Sequence, residues 1–360
     1  MKKKNIIIIA IVVAVGLAAV IIALSGSKTS TFPQDYHIED IASVNKVFIA
    51  DKQDNHVLLT RDGETCDSPW TVDTGFTAEV GTGYPASQPM VDMLLETLHD
   101  MRIRQQVNRN AIPQVVKLLS ARAVKVEVYQ RDYRIRWFGD KMRLFPYEKK
   151  TTYYVGHETQ DMMACHMFRE GDKVPYIIHI PGFRGYLTPR FVANPTSWRS
   201  HNIVRWNVHR IDRVEMEIPA APQESYAIVR NGEGFDFVLT QTQTRADHFD
   251  TARVAQMLSC FANLNFDEYA SLVPHAEKDT SFAVGPGAIL RITDTAGTTR
   301  EVKTYRKYNN PDDIKAMPDT NLYQMFDLDR LYAIVDNRDT VLIQYYVFDN
   351  ILQPASFFLK

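Results

Sequence analysis

Two amphipathic helical patterns, placed at matching points in successive halves of the chain, constrain its fold more than any other feature. Apolar residues recur at helical spacing between about Gln88 and Arg102, and again between about Phe249 and Leu264. The two stripes are offset by a constant 163 positions, which pairs Val91 with Val254, Leu94 with Met257, Leu95 with Leu258, Leu98 with Phe261 and Met101 with Leu264. This agreement predicts an internal duplication.

Short strand patterns surround each helix in the same order. Three strands precede it, at 44–49, 57–60 and 70–72 in the first half and at 211–216, 226–230 and 235–237 in the second. Alternating strands at 124–129 and 288–293 follow, then the strand pairs 152–155 with 176–180 and 300–305 with 331–335. Because short turns join most of these strands, antiparallel pairing is favoured over a parallel sheet. The predicted fold class is α+β, with two tandem copies of an antiparallel sheet covered on one face by helices.

The two copies differ after the first helix. An additional helical stretch at about 112–121 is either missing from the second copy or replaced there by the segment near 273–281. The boundary between the copies is predicted in the Pro/Asn/Ser-rich stretch 193–197. The predicted organisation is therefore an N-terminal segment at 1–27, a first α+β repeat at 28–195 and a second at 196–360.

The N-terminal segment has the pattern of one transmembrane helix. Lys2, Lys3 and Lys4 precede an uncharged run of 19 residues from Ile6 to Leu24, whose helical length of about 28 Å matches a bilayer core. The lysines predict a cytoplasmic amino terminus, an inner-membrane location and an extracytoplasmic or periplasmic bulk. A signal peptide cleaved near Ser25 is the alternative, and it also places the remainder outside the cytoplasm.

Composition narrows the choice of partner. All 43 Asp and Glu but 38 of the 41 Lys and Arg lie beyond the N-terminal segment, so the outer part has a net charge of −5. This charge balance argues against a nucleic acid or another polyanion as partner. The three cysteines are scattered, and they are compatible either with three buried thiols or with one disulfide and one free thiol.

The sequence contains no strong catalytic, nucleotide-binding or metal-binding motif, so we predict no catalytic residue, no cofactor and no metal. One cluster has side chains of metal-ligating type: His157, Glu158, Asp161, Cys165 and His166. If this stretch were one extended strand, alternation would place His157, Asp161 and Cys165 on the face opposite to Glu158 and His166. Solvated polar residues at a strand edge therefore explain the cluster better than a metal site.

An arginine- and aromatic-rich stretch is the most distinctive part of the chain. Between Gly182 and Arg213 it contains six arginines and a single acid, Asp212. Such residues stack on rings and bind anionic groups, which predicts a surface for a glycan, an anionic lipid or a protein. The predicted interaction residues are Phe183, Arg184, Tyr186, Arg190, Trp198 and Arg199. The alternative is that they fill the seam between the two copies.

Several strings resemble a bacterial membrane-anchored family with a duplicated domain of unknown function, DUF4340. They are VKVEVY at 124–129, YYVG at 153–156, HIPGFRGYLTPR at 179–190 and the Trp198-Arg199 pair, together with the lysine-led anchor. The resemblance implies an anchored envelope protein that faces outward. It also implies an accessory subunit, since relatives are associated with transport-type membrane machinery of the gliding-motility kind. No established catalytic residue is carried over.

The sequence alone does not determine a biochemical function. The leading hypothesis is a non-enzymatic envelope protein that acts as an accessory or scaffold subunit, with a protein partner in the same membrane. A module that binds extracytoplasmic glycan or cell wall is one alternative. A hydrolase with an unrecognised site is the other.

Overall fold

A computed structural model describes residues 36–61, 68–73, 83–137, 142–232, 234–272, 278–309 and 325–359. The described chain divides into two compact units. Unit 1 ends at Asn194, and unit 2 begins at Pro195 and also includes Tyr84–Gln88. Within these ranges, no helix has the length and apolar character needed to cross a bilayer. The predicted anchor at 6–24 lies outside the described residues.

Unit 1 is built from one antiparallel sheet and two helices. Its strands are β1 (Val44–Ala50), β2 (His56–Arg61), β3 (Trp70–Asp73), β5 (Arg102–Gln106), β6 (Val124–Trp137), β7 (Met142–Glu158), β8 (Cys165–Arg169) and β9 (Tyr176–His179). The helices are α1 (Gln88–Asp100) and α2 (Ile112–Arg122). The predicted pairing of 152–155 with 176–180 is wrong, because β8 lies between β7 and β9.

Unit 2 contains a large sheet, a two-stranded sheet and several short helices. The large sheet has β11 (Ile211–Glu217), β12 (Tyr226–Asn231), β13 (Gly234–Leu239), β14 (Thr244–Arg245), β16 (Glu268–Tyr269), β17 (Ala288–Asp294), β18 (Thr299–Tyr308), β19 (Phe326–Val335) and β20 (Asp339–Gln344). Strand β10 (Asn202–Val204) pairs with β15 (Leu264–Asn265), and β4 (Tyr84–Pro85) also belongs to this unit. The helices are α3 (Thr251–Cys260), α4 (Lys278–Ala283), α5 (Tyr345–Phe348) and α6 (Ala355–Phe358).

The two units arrange their strands in the same order. In unit 1 the order is β3-β2-β1-β6-β7-β8-β9-β5. In unit 2 the eight equivalent strands follow the order β13-β12-β11-β17-β18-β19-β20-β16, and β14 lies outside β13 at the edge. Every strand pair with a defined register in the two sheets is antiparallel. Antiparallel sheets thus dominate the fold, and the helices are few. In each unit a first meander of three strands joins a second meander through one non-sequential pair, β1 with β6 or β11 with β17.

Both predicted apolar stripes are buried, which confirms the two principal helices. Val91, Leu94, Leu98 and Met101 are 0% exposed, and Leu95 is 7% exposed. In unit 2, the five equivalent residues belong to one core cluster with the inward side chains of β11, β12, β17 and β18. Burial of such a stripe removes about 1.5 to 3 kcal/mol of unfavourable hydration per large side chain. Helix and sheet in unit 2 therefore stabilise each other.

The prediction that helices cover one face of each sheet is wrong for unit 2. Helix α3 packs on one face, whereas Phe282 of α4 packs on the other, against Tyr305 and Tyr332. Strands β18 and β19 have large apolar side chains on both faces of the sheet. Both faces must therefore be packed against other elements to be shielded from water. Helix α4 overlaps the segment near 273–281. It therefore agrees with one of the two alternatives, in which this segment of the second copy replaces the additional helix of the first copy.

Helix α2 packs closely on the sheet of unit 1 at a glycine. Val115 and Leu119 of α2 are buried against a cluster that includes Tyr154 and Phe168. A Cβ atom added at Gly156 of β7 would lie 2.6 Å from the Leu119 side chain and 2.8 Å from a backbone oxygen. Since these distances are shorter than van der Waals contact, the position requires glycine for the helix to approach.

One arginine stabilises the junction of the two meanders in each unit, the buried Arg61 in unit 1 and the half-buried Arg230 in unit 2. Strand β1 has a β-bulge after Val44, and β11 has one after Ile211. The bulge takes carbonyl groups out of the regular ladder. Arg61 donates to the carbonyls of Ala42 and Val44, at 2.6 and 2.5 Å. In both units, an arginine near the end of the adjacent strand donates hydrogen bonds to the carbonyls beside the bulge.

The arginine of unit 2 has the matching contacts. The Nε of Arg230 donates to the Ile211 carbonyl at 2.8 Å, and its guanidinium also donates to the carbonyl of Val208. Its guanidinium carbon lies 4.8 Å from the ring centroid of Phe235, as that of Arg61 lies 5.1 Å from the ring of Trp70 in unit 1. Loss of this side chain would remove both donors that Arg230 supplies to the carbonyl of the buried Ile211.

We expect Arg230→Met to lower the free energy of unfolding by about 2 to 4 kcal/mol, because methionine keeps the apolar stem but donates no hydrogen bond. Urea unfolding followed by circular dichroism measures the change. Arg213→Met is the matched control on the same sheet, where Arg213 pairs with the partly exposed Glu215 and its loss should cost less than about 1 kcal/mol. Equal effects of the two substitutions would show that the bulge does not depend on Arg230.

Candidate interaction sites

Four of the six predicted interaction residues lie in unit 1, on the segment that follows β9. The guanidinium of Arg190 lies 4.4 Å from the Phe183 ring centroid and donates to the Thr97 hydroxyl at 2.9 Å. Tyr186 is half-buried, and Arg184 is exposed. Phe183 and Arg190 therefore pack on each other, and Arg190 is also hydrogen-bonded to helix α1. Of the four residues, Arg184 has the most accessible side chain.

The other two predicted residues lie in unit 2. Trp198 is 0% exposed, so its ring supports the fold and offers no contact surface. The next residue, Arg199, forms an isolated β-bridge with Ala86. Backbone hydrogen bonds on both sides of this bridge, from Ser87 to the carbonyl of Trp198 at 2.7 Å and from Ser200 to that of Pro85 at 2.8 Å, fix its position.

Arg199 forms part of a cleft of about 460 Å³ in unit 2, the arginine cleft. Its guanidinium lies 3.7 Å from the Tyr84 ring centroid and 4.4 Å from that of Tyr269, and it pairs with Asp339 at 2.8 Å. Burial raises the pKa of Tyr269 to about 12, so this phenol stays protonated and donates to the Ser200 carbonyl at 3.1 Å.

A tight turn brings a second arginine to the mouth of the cleft. Asp336 and Asn337 both have positive φ, 51° and 54°, in the connection between β19 and β20. Asp and Asn tolerate this conformation better than most residues, which favours a short turn of the primed type. Arg338 follows directly, with a side chain 62% exposed and a guanidinium 4.7 Å from the Tyr84 ring.

The lining of the cleft is cationic overall. Five arginines contribute to it, at 199, 205, 210, 300 and 338, against the two aspartates at 336 and 339. Arg300 pairs with Asp336 at 2.5 Å, and Arg210 pairs with the buried Asp294 at 2.9 Å while its guanidinium lies 5.0 Å from the Trp206 ring. A cleft with excess guanidinium groups beside aromatic rings is suited to an anionic ligand.

The amino-acid sequence points to Arg199 but not to Tyr84, Arg300 or Arg338. These residues come from distant parts of the chain, and none belongs to a motif. The Asp336-Asn337 dipeptide, which directly follows the predicted strand at 331–335, was the one local signal, because such a dipeptide is typical of a turn. The dipeptide does not indicate that the turn places Arg338 at the mouth of a cleft.

Unit 1 has a second candidate surface, where β6 and β7 extend beyond their neighbours. Pairing of β1 with β6 ends at Gln130, and pairing of β7 with β8 begins at Tyr153. We call the projecting parts, Arg131–Trp137 and Met142–Lys150, the hairpin arm. Within the described ranges, no third strand has a defined pairing with either part. In unit 2 the equivalent hairpin is short, since β17 has 7 residues and β6 has 14.

The arm is exposed, apolar and basic. All residues from Leu144 to Lys150 are exposed, including Phe145 at 64%, Leu144 at 41% and Tyr147 at 39%. Phe145 has φ of 60°, an unfavourable conformation for a bulky residue. In the sequence, residues 131–150 contain seven Lys and Arg against three Asp and Glu, in a chain whose outer part is acidic.

A buried ionic group stabilises the base of the arm. The carboxylate of Glu127 on β6 accepts from Lys125 at 2.8 Å, Lys150 at 2.7 Å and the Tyr129 hydroxyl at 2.6 Å. Burial raises the pKa of Glu127, but these three donors lower it more, to about 2. Because Lys150 is on β7, the group ties the two strands of the arm together.

The predicted separation of the His and Cys cluster is wrong. The stretch is a hairpin rather than one strand, with Glu158 of β7 opposite Cys165 of β8. His157 and His166 are consequently cross-strand neighbours, and their rings stack with centroids 4.5 Å apart. Burial lowers the pKa of His166, which favours neutral imidazole. Across the part of the chain that the structure describes, no group of three or more potential ligands is arranged to hold a metal ion.

The thiols within the described ranges are not paired with each other. Cys165 and Cys260 are free, and Cys66 lies outside the described residues. Burial raises the pKa of the Cys165 thiol to about 12, so this thiol stays protonated near neutral pH. Cys165 is therefore a structural side chain.

The fold and the two surfaces define a sheet-rich protein of two topologically equivalent units, one with a projecting arm and one with an arginine cleft. The family model described as domain of unknown function (DUF4340) matches residues 79–282, more than half of the chain. The chain belongs to this family, which confirms the resemblance of the strings at 124–129, 153–156 and 179–190. No curated protein and no solved structure matches the chain.

We expect Glu127→Gln to destabilise the chain by about 1 to 3 kcal/mol at pH 7, because the buried carboxylate loses the charge with which it accepts from two solvent-accessible lysines and the Tyr129 hydroxyl. The depressed pKa of Glu127 means that its contribution is complete above pH 4.5, its ordinary value, and is lost as the pH falls towards 2. Unfolding measured at several pH values tests this. Glu148→Gln, at a residue whose side chain is 42% exposed, is the control and should have little effect. A pH-independent loss for Glu127→Gln would contradict the prediction.

Proposed function

We propose that this chain is a non-enzymatic, membrane-anchored envelope protein that serves as an accessory or scaffold subunit of a membrane complex. In this proposal, the hairpin arm of unit 1 binds the protein partner. The observation that carries the proposal is the arm itself, which extends beyond the parts of β6 and β7 that pair with β1 and β8 and whose end exposes Leu144 and Phe145.

An arm of this kind is suited to strand addition. From Arg131 to Trp137 it extends roughly 20 Å at the rise of a β-strand, long enough to pair with an extended segment of another chain. Main-chain hydrogen bonds supply affinity in this mode, and alternate side chains supply specificity. Since residues 131–150 carry a net positive charge, we propose that the partner segment is rich in Asp and Glu.

Protection of an exposed strand edge against aggregation explains the charged residues of the arm but not its exposed apolar residues. Natural proteins place charged residues, lysine above all, on open edges to prevent aggregation. The same purpose does not account for an exposed Phe145 and Leu144, which promote association. The unfavourable backbone conformation of Phe145 reduces the free energy of unfolding by about 1 kcal/mol or more. A role in binding would explain why this conformation is retained.

The location of the partner follows from the proposed anchor. The run from Ile6 to Leu24 would form one transmembrane helix, with the two units outside the cytoplasm. The tether at 25–35 is short, so the units would stay near the bilayer. The equal strand order of the units and the arginines at equivalent bulges favour an origin by duplication of one domain. A longer hairpin in unit 1 then provides the specialised element.

Co-purification from solubilised membranes tests the proposal. We expect the tagged wild-type chain to recover a membrane protein in stoichiometric amount. Phe145→Ser should reduce that recovery about tenfold or more, because loss of a central aromatic contact commonly costs over 1.4 kcal/mol of binding free energy. Tyr346→Ser is the matched control, since Tyr346 of unit 2 is an aromatic residue that is 91% exposed.

The control variant should recover the partner as the wild type does. Isolation of the wild-type chain alone would refute the scaffold proposal. If Phe145→Ser recovers as much partner as the wild type, the chain still has a partner but the arm does not bind it. Circular dichroism of both variants verifies that each remains folded.

A further inference from the structure

We infer that the arginine cleft of unit 2 binds an acidic saccharide, a sugar ring that carries a carboxylate. The inference is independent of the proposed role of the hairpin arm. The cleft volume of about 460 Å³ lies within the range of small-molecule sites, roughly 300 to 1,000 Å³. It can accommodate one or two sugar rings.

Arg338 is the residue best placed to bind the carboxylate. Its side chain is 62% exposed at the mouth of the cleft, and its Nε lies 3.5 Å from Asp339, too far for a good hydrogen bond. Asp339 is already paired with Arg199 at 2.8 Å. The terminal nitrogens of Arg338 therefore remain available to form the two parallel hydrogen bonds that a guanidinium makes with a carboxylate.

The rest of the lining distinguishes a saccharide from a phosphate. Asp336 and Asp339 face the same cleft as the arginines, together with the polar side chains of Ser200, Asn202 and Thr298. Carboxylate oxygens accept hydrogen bonds from sugar hydroxyl groups but repel a doubly charged phosphate. A ligand with one carboxylate and several hydroxyls uses both kinds of group in the cleft.

Aromatic rings supply the apolar part of the site. Tyr84, Trp206 and Phe266 contribute to the lining. Trp206 and Phe266 are each only 7% exposed, so their rings form a largely buried apolar backing behind the polar groups of the cleft. The two tyrosines that enclose Arg199 hold its guanidinium in place, so the floor is rigid before a ligand arrives. A preformed site loses less entropy on binding than a flexible one.

Titration calorimetry of the purified full-length chain tests the inference with three probes. These are a disaccharide that contains glucuronate, its neutral glucose-containing counterpart, and glucose 6-phosphate. We expect the glucuronate disaccharide to bind at least about tenfold more tightly than either of the others. Quenching of tryptophan fluorescence should accompany binding, since Trp206 lines the cleft.

Two arginine variants locate the binding site. We expect Arg338→Gln to weaken binding of the glucuronate disaccharide about tenfold. Arg245→Gln, at an arginine of unit 2 that is also 62% exposed but is not part of the cleft lining, should leave binding unchanged. Both substitutions are at exposed residues, and circular dichroism checks that the fold is retained.

Four outcomes would overturn the inference. If no probe binds at millimolar concentration, the cleft is not a saccharide site. If glucose 6-phosphate binds as tightly as the glucuronate disaccharide, the cleft recognises anions in general. If the neutral disaccharide binds equally well, or if Arg338→Gln and Arg245→Gln behave alike, Arg338 does not bind a carboxylate.

Discussion

In each unit, one arginine donates hydrogen bonds to backbone carbonyls at and just before a β-bulge, and these bonds stabilise the junction of the two meanders. In both sheets, the first and second meanders meet in a pair of strands that are distant in sequence, β1 with β6 and β11 with β17. The bulge at this junction increases the local twist, but it leaves carbonyls without ladder partners. Arg61 and Arg230 supply the missing donors from the neighbouring strand. Without this compensation the junction would bury unpaired polar groups, and the rest of each sheet is built on that junction.

Equal topology does not give the two units equal surfaces. The hairpin that follows the junction is 14 and 17 residues long in its two strands in unit 1, but 7 and 10 in unit 2. The longer pair leaves the sheet and forms the arm, whose base depends on the buried Glu127 and its lysine partners. Unit 2 instead has the arginine cleft, assembled from turns and strand ends. A duplicated scaffold can thus carry two different binding surfaces, because function resides in sites rather than in the fold.

Periodicity explains which parts of the fold were predictable. The stripes that begin at Val91 and Val254 were correctly assigned, since one buried face over ten or more residues leaves a clear pattern. Strand β8 was missed because Cys165–Arg169 is short and mixed in character. The His157–His166 contact was mispredicted for a related reason: a turn within the segment reverses the chain, and alternation along one strand says nothing about the residue opposite. One-sided helix cover failed in unit 2 because residue patterns do not show which face an added helix selects.

The sequence by itself determined the family, the antiparallel strands and the two principal helices, because these depend on local periodicity and on specific strings of residues. It also singled out Arg199 through the density of arginines around it. Tertiary structure decided what Arg199 does. Its partner Asp339 lies 140 positions away in the sequence. Its ring neighbours Tyr84 and Tyr269 lie 115 positions before it and 70 positions after it. Contacts of this range depend on strand order and turn geometry, which no local pattern encodes.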